Sequence, residues 1–76
     1  MKGEFQAANR REKVNIILNS IRLATSKGVG VDENKLTALQ SIEWGVRTIK
    51  IREYIKDLVT AELIEYREGL LWATDQ

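Results

Sequence analysis

The sequence predicts a small, mainly helical α+β fold, and three observations support this. Apolar residues recur at helical spacing in three consecutive segments. Gly28 and Gly45 separate these segments, and glycine commonly ends a helix. Two short apolar runs then flank a glycine-containing turn, a pattern typical of a β-hairpin.

Size and composition exclude several classes of protein. The chain has 76 residues, enough for one domain with a small core. It has no cysteine and no histidine, which excludes disulfides, thiolate or histidine metal sites and histidine acid–base catalysis. No glycine-rich phosphate loop occurs, so we expect no catalytic site, metal or cofactor. No apolar run suits a membrane span or a signal peptide, so we expect a cytoplasmic protein.

Charge is unevenly distributed, although the net charge is only +1. Residues 1–31 carry six basic and two acidic side chains, a balance of +4. Residues 32–62 carry five and six, and residues 63–76 carry one and three. A positive field would therefore come from the first helix and from the start of the third.

The first helix is predicted from about Asn9 to Lys27, after a short polar segment. We expect residues 1–8 to be flexible and residues 9–76 to form the domain. The core face of the helix carries Val14, Ile17, Leu18, Ile21 and Ala24. Alternation of valine and glycine over 28–31 then predicts a very short strand, which must pair with a distant segment.

The second helix is predicted to start after Asp32, a favourable N-cap, and to reach Trp44. Its expected apolar face is Leu36, Leu39 and Ile42. We expect Thr48 to cap the third helix, which extends to about Thr60. The buried face of that helix is expected to contain Ile51, Ile55 and Leu58, with Tyr54 and Val59 at its edges.

The hairpin is predicted from two strand-like runs, Leu63–Tyr66 and Leu70–Ala73. Arg67, Glu68 and Gly69 between them suit a three-residue turn with Gly69 in the left-handed conformation.

This order of elements resembles the winged helix-turn-helix family over about residues 10–74, which implies a winged-helix fold. Ser41 lies four positions before Gly45, where the family has a small residue, and Trp44 and Val46 supply the apolar neighbours of the glycine. The C-terminal segment 63–72 looks like the strand–wing–strand of small regulators from bacteria, archaea and archaeal viruses.

Two residues depart from the family pattern. Gln40 lies where an aliphatic residue is usual, and Glu62 lies where glycine commonly precedes the first wing strand. We expect Glu62 either to adopt a left-handed backbone, at a cost of about 1 kcal/mol, or to follow a differently closed helix.

The resemblance implies that the third helix enters the major groove of DNA. The helical period places one set of side chains on its outward face or near its start, and Arg67 lies at the tip of the wing. The candidate DNA-binding residues are Arg47, Thr48, Ile49, Lys50, Arg52, Glu53, Lys56 and Arg67.

These side chains have chemistry suited to DNA. The three cations at 47, 50 and 52 suit phosphates or guanine edges, and Thr48 suits a phosphate beside the helix N-terminus. Ile49 suits a thymine methyl group, and Glu53 suits cytosine N4. The alternative is a solvated face on which Thr48 is an ordinary N-cap. For Arg67 the alternative is a turn arginine that favours solubility, next to the repelling Glu68.

The two tryptophans and two tyrosines are expected in the core or at its edge rather than on a base-stacking platform. They are Trp44, Tyr54, Tyr66 and Trp72. They lack the repeated spacing of a single-strand binder.

A second apolar stripe on the first helix suggests a homodimer. Ile16 and Leu23 lie seven positions apart and opposite the core face, and Phe5 extends the stripe if the helix starts early. Isolated exposed apolar residues are also normal.

The leading hypothesis is a sequence-selective protein that binds double-stranded DNA, a small transcriptional regulator without a ligand domain. The alternative is a winged-helix module that binds another protein and has no DNA role, since fold alone does not decide function.

Overall fold

The computed structural model describes residues 2–74, and side chains from residue 9 onward. Three helices precede one hairpin: α1 (Lys2–Ser26), α2 (Glu33–Trp44), α3 (Thr48–Thr60), β1 (Ile64–Arg67) and β2 (Leu70–Ala73). This is a mainly helical α+β fold with the element order of a winged helix, as the sequence predicts. No helix in the described part is long and apolar enough to cross a membrane.

The first helix begins at Lys2, seven residues earlier than its apolar pattern indicates. The turns before Asn9 lack core-facing apolar spacing, which is why the sequence pattern does not detect them. Whether residues 1–8 are flexible in solution stays a prediction.

The predicted short strand at 28–31 is reduced to one residue pair. Val31 and Leu71 form an isolated antiparallel bridge, with N–O distances of 3.0 and 2.8 Å. Val31 therefore extends the hairpin on the side of β2 and ties the segment after α1 to the C-terminal part of the chain.

One core holds the elements together. Its most buried side chains come from α1, α3 and the hairpin: Ile17, Ile21, Ile51, Ile55, Ile64 and Leu71 are all at most 1% exposed. Tyr54, expected at the edge of α3, is only 3% exposed and belongs to this core.

The predicted apolar face of α2 is wrong. Leu36 is buried, but Leu39 and Ile42 are 65% and 80% exposed. A spacing of three residues turns the helix by only about 300°, so each step moves the side chain about 60° away from the previous one. The residues of α2 that face the core are instead spaced by four, at Leu36, Gln40 and Trp44. Gln40 and Trp44 are both half-buried.

Gln40, one of the two departures from the family pattern, carries a cost in this position. Its Oε1 is buried, and no hydrogen-bond partner for it occurs in the described part of the chain. Such an unpaired acceptor is unfavourable compared with the aliphatic side chain that the family has there.

All three helices end in the same way, with a left-handed residue at Gly28, Gly45 or Glu62 (φ 74°, 65° and 63°). In α3 the Glu62 N–H donates to Val59 O (2.9 Å) and the Leu63 N–H donates to Leu58 O (3.0 Å). These two bonds form a Schellman motif. Of the two expectations for Glu62, the left-handed backbone is the one observed.

The hairpin turn is shorter than predicted. Arg67 pairs with Leu70 in the ladder, so the turn contains only Glu68 and Gly69. Both residues have positive φ, 55° and 78°, which defines a type I′ turn. The predicted left-handed Gly69 is confirmed, but Arg67 belongs to β1 and not to the turn.

Candidate nucleic-acid interface

The N-termini of α2 and α3 differ in the side chains that stabilise the positive end of the helix dipole. At α2, Asp32 Oδ1 accepts from the Lys35 N–H (3.0 Å), and Glu33 adds an acid to the first turn. At α3, the N-cap is Arg47, which makes no side-chain capping bond, and the first turn has no acid. The first N–H groups of α3 therefore have neither a capping side chain nor an acidic side chain of the first turn beside them.

Thr48 is therefore not the N-cap that the sequence predicts. It is the first residue of α3, because Arg47 has the extended backbone of a cap (φ −69°, ψ 148°). Thr48 is exposed at the start of the helix.

The outward face of α3 matches the predicted set of residues. Every candidate on the helix or just before it is exposed, and Ile49 is 63% exposed. The opposite face is buried through Ile51, Tyr54, Ile55 and Leu58. The structure thus brings the candidates at 47–56 together on one surface.

The cations on this surface are not equivalent. Arg52 reaches back to α2, with Nη1 3.8 Å from a Glu33 carboxylate oxygen and Nη2 donating to Asn34 Oδ1 (3.3 Å). Lys50 lies 3.8 Å from the Glu53 carboxylate, a loose surface pair. In contrast, Arg47 and Lys56 have no ion-pair partner among the described side chains.

Glu33 also joins the hairpin to this cluster. The Tyr66 hydroxyl donates to Glu33 Oε1 at 2.8 Å. Partial burial and this hydrogen bond to a carboxylate raise the pKa of Tyr66, against the opposing effect of Arg52. The Glu33 carboxylate of α2 therefore lies beside a side chain of α3 and a side chain of β1.

Arg67 is folded back onto the hairpin. Its guanidinium lies 4.6 Å from the centre of the Trp72 ring and its Nε lies 3.5 Å from a Glu65 carboxylate oxygen. The Trp72 Nε1–H donates to the Arg67 carbonyl (3.1 Å). The charge of Arg67 is therefore partly neutralised. Arg67 also belongs to β1 and not to the start of α3.

Three of the four tryptophans and tyrosines lie in the core or at its edge, as the sequence predicts. Tyr54 is buried, and Trp44 and Trp72 are half-buried at the edge of the core. Tyr66 is 52% exposed, and its ring serves mainly to bring its hydroxyl to Glu33.

Two basic residues of α1 have structural partners that were not predicted. Arg10 pairs with Asp57 at 2.7 Å and lies over the Tyr54 ring, and Lys13 lies over the Trp44 ring. The sequence does indicate that Arg10 could contact other elements, because Arg10 lies four positions before Val14 on the core-facing side of the helix. These cations attach α1 to α2 and α3.

The second stripe of α1 is exposed as the sequence predicts. Ile16 is 46% exposed and Leu23 is 59% exposed. The backbone of Phe5 lies within α1, but its side chain lies outside the described residues.

A scan against protein-family models, a search of curated proteins and a search of solved structures each found no match to this chain. Its function is therefore inferred from its own residues and their geometry.

Proposed function

We propose that this protein binds double-stranded DNA in a sequence-selective way and acts as a small, non-enzymatic transcriptional regulator. The observation that carries the proposal is the open N-terminus of α3. It has no capping side chain and no acid in its first turn, and Arg47, which has no ion-pair partner among the described side chains, lies at its start. A phosphate group supplies what this helix end lacks.

In the proposed complex α3 lies in the major groove, and the exposed residues near its start approach the DNA most closely. Arg47, Lys50 and Lys56 contact phosphates, and the Thr48 hydroxyl donates to a phosphate beside the helix N-terminus. Ile49 contacts a thymine methyl group, which accounts for an isoleucine in an exposed position. Glu53 accepts from cytosine N4 once DNA phosphates compete for Lys50.

Arg52 and Arg67 have smaller roles in the proposed complex. Arg52 is held by Glu33 and Asn34, so it orients α3 against α2 and reaches a phosphate only by leaving Glu33. Arg67 is stacked on Trp72 and contributes little. With a net charge of only +1, binding that does not depend on base sequence should be weak.

As parts of the same proposal, two copies associate through α1, and the protein acts in the cytoplasm. A homodimer would present two third helices to the two half-sites of a palindromic operator.

The proposal is tested by selecting bound sequences from random duplex DNA. The selected duplex is then titrated with the protein. We expect enrichment of a short motif and tighter binding to it than to a duplex of the same composition in scrambled order. No enrichment, together with no binding to mixed duplex at low salt, would refute DNA binding.

The second candidate function is a winged-helix module that binds another protein and not DNA. The observation that favours it is the exposure of Leu39, Ile42 and Ile49, which are 65%, 80% and 63% exposed. Large apolar side chains in such number on two adjacent helices are typical of a protein-binding surface. The low-salt titration separates the two functions, because this second candidate gives no duplex binding.

A further inference from the structure

The face of α1 opposite the core carries a regular set of exposed side chains. Ile16 and Leu23 are its apolar members, 46% and 59% exposed. Glu12 lies four positions before Ile16, and Lys27 lies four positions after Leu23. At about 100° per residue, the three members within α1 lie within an arc of roughly 40°, and Lys27 lies in the turn that directly follows the helix; we call these four residues the outer stripe of α1.

The outer stripe has a palindromic spacing. Its four residues are placed symmetrically about the midpoint between Asn19 and Ser20, in the order acidic, apolar, apolar, basic. A second copy of α1 that runs in the opposite direction therefore places its Leu23 on Ile16, and its Lys27 on Glu12. Asn19 and Ser20, both exposed and short, meet at the centre.

The charges of the outer stripe select the direction of pairing. In a parallel pair each residue faces its own copy, so Glu12 meets Glu12 and Lys27 meets Lys27, which is unfavourable. In the antiparallel pair both ends become ion pairs. Neither Glu12 nor Lys27 has an ion-pair partner among the described side chains of its own chain.

We propose that α1 pairs antiparallel with α1 of a second copy, with the two-fold axis beside Asn19 and Ser20. This pairing deepens the homodimer that forms part of the proposed function. The occupant of the stripe is a second copy because the stripe is complementary to its own reversal in both charge and apolar position. The interface is small compared with the roughly 800 Å² per partner of a standard complex, so the dimer is weak and forms with rising concentration.

A charge exchange tests the register. In Glu12→Lys and in Lys27→Glu, each homodimer has like charges at both ends, and we expect its dissociation constant to rise about tenfold or more. An equimolar mixture of the two variants restores opposite charges at both ends of the heterodimer. Sedimentation equilibrium and native mass spectrometry should show heterodimers that are as stable as the wild-type dimer.

Two results would overturn the pairing. One is a wild-type protein that stays monomeric from micromolar to millimolar concentration, and the other is a mixture of the variants that associates no better than either alone. Binding of each variant to duplex DNA is measured separately. A wild-type protein that binds duplex DNA but stays monomeric would refute only the pairing, and a wild-type protein that dimerises as proposed but does not bind duplex DNA would refute only the DNA role.

A matched pair of apolar substitutions shows which helix carries the interface. Leu23 on α1 and Leu39 on α2 are similarly exposed, 59% and 65%, so glutamate at either position should leave the fold intact by circular dichroism. We expect Leu23→Glu to abolish the dimer and Leu39→Glu to preserve it. The opposite result would move the interface to α2.

Discussion

Glu62 ends α3 with a left-handed backbone at φ 63°, the conformation that Gly28 and Gly45 adopt at the ends of the other two helices. Its carbonyl accepts from the Thr74 hydroxyl at 2.6 Å, and the Leu63 carbonyl accepts from the Thr74 N–H at 3.1 Å. The end of α3 is thereby tied to the end of the hairpin. These contacts hold the residue in a conformation that is unfavourable for any residue with a Cβ atom.

Glu62→Gly should therefore stabilise the protein. Relief of the left-handed strain outweighs the greater freedom of glycine in the unfolded chain, and we expect a net gain of about 0.5–1 kcal/mol in the free energy of unfolding. Urea denaturation measures the change. The control is Glu62→Ala, which removes the carboxylate but keeps the strain and should leave stability nearly unchanged. Equal stability of the two variants would contradict this assignment of the strain.

The Tyr66 hydroxyl gives a second test at the residue scale. Partial burial and the hydrogen bond to Glu33 favour the neutral phenol, so Tyr66 should ionise above the ordinary pKa of tyrosine, 10.0. Glu33→Gln removes the nearby negative charge and the charged acceptor, so the pKa should fall back towards its ordinary value. Ultraviolet titration of tyrosinate absorbance follows this change, with Tyr54→Phe used to remove the signal of the other tyrosine. An unchanged pKa in Glu33→Gln would show that the contact is absent in solution.

At the scale of elements, the segment after α1 lies directly against the hairpin. A Cβ atom on Gly30 would lie 2.7 Å from Leu70 Cβ and 2.9 Å from Trp72 Cε2. Glycine is thus needed for the Val31–Leu71 bridge to form, since the two segments could not otherwise approach so closely.

Gly30→Ala should destabilise the protein by about 1–3 kcal/mol, because the added methyl group forces β2 away from the segment after α1. In a domain of this size each kcal/mol lowers the melting temperature by roughly 4–8 °C, which calorimetry resolves. The neighbouring change Val29→Ala provides the control, because Val29 is 55% exposed and its truncation should have little effect. A Gly30→Ala protein as stable as wild type would refute the close approach.

The elements that the sequence predicts well are those fixed by local signals. Asp32, Gly45 and Gly69 mark a cap, a helix end and a turn through their own backbone preferences, and the structure has each of them in that role. The apolar face of α2 was not predictable in the same way, because Leu36 is compatible with either a spacing of three or a spacing of four. Packing against α3 selects the spacing of four.

The contacts that fix the candidate interface were not predictable from the sequence. Arg52 reaches Asn34, 18 positions away, and Tyr66 reaches Glu33, 33 positions away. No local pattern indicates which of several exposed carboxylates a cation will meet. The outward face of α3 was predictable because the helical period and the buried stripe determine it.

At the scale of the whole molecule, tertiary contacts reduce the number of cations available to an anionic partner. Arg10 pairs with Asp57, Arg52 with Glu33 and Arg67 with Glu65, each within 4 Å. On α3 and at its N-cap, Arg47 and Lys56 have no ion-pair partner among the described side chains, and Lys50 has only the loose pair with Glu53 at 3.8 Å. The near-zero net charge therefore does not describe the local field at this surface.

The salt dependence of duplex binding shows whether Arg47, at the open end of α3, contacts a phosphate of DNA. It is measured for wild type, Arg47→Ala and Arg67→Ala. Both substitutions remove one arginine, but only Arg47 lies at the open end of α3. We expect Arg47→Ala to weaken binding and to reduce the slope of log affinity against log salt by about 0.9, the value for one lost phosphate contact. Arg67→Ala should leave the slope nearly unchanged. An Arg47→Ala protein with the affinity and slope of wild type would contradict a phosphate contact at this helix end.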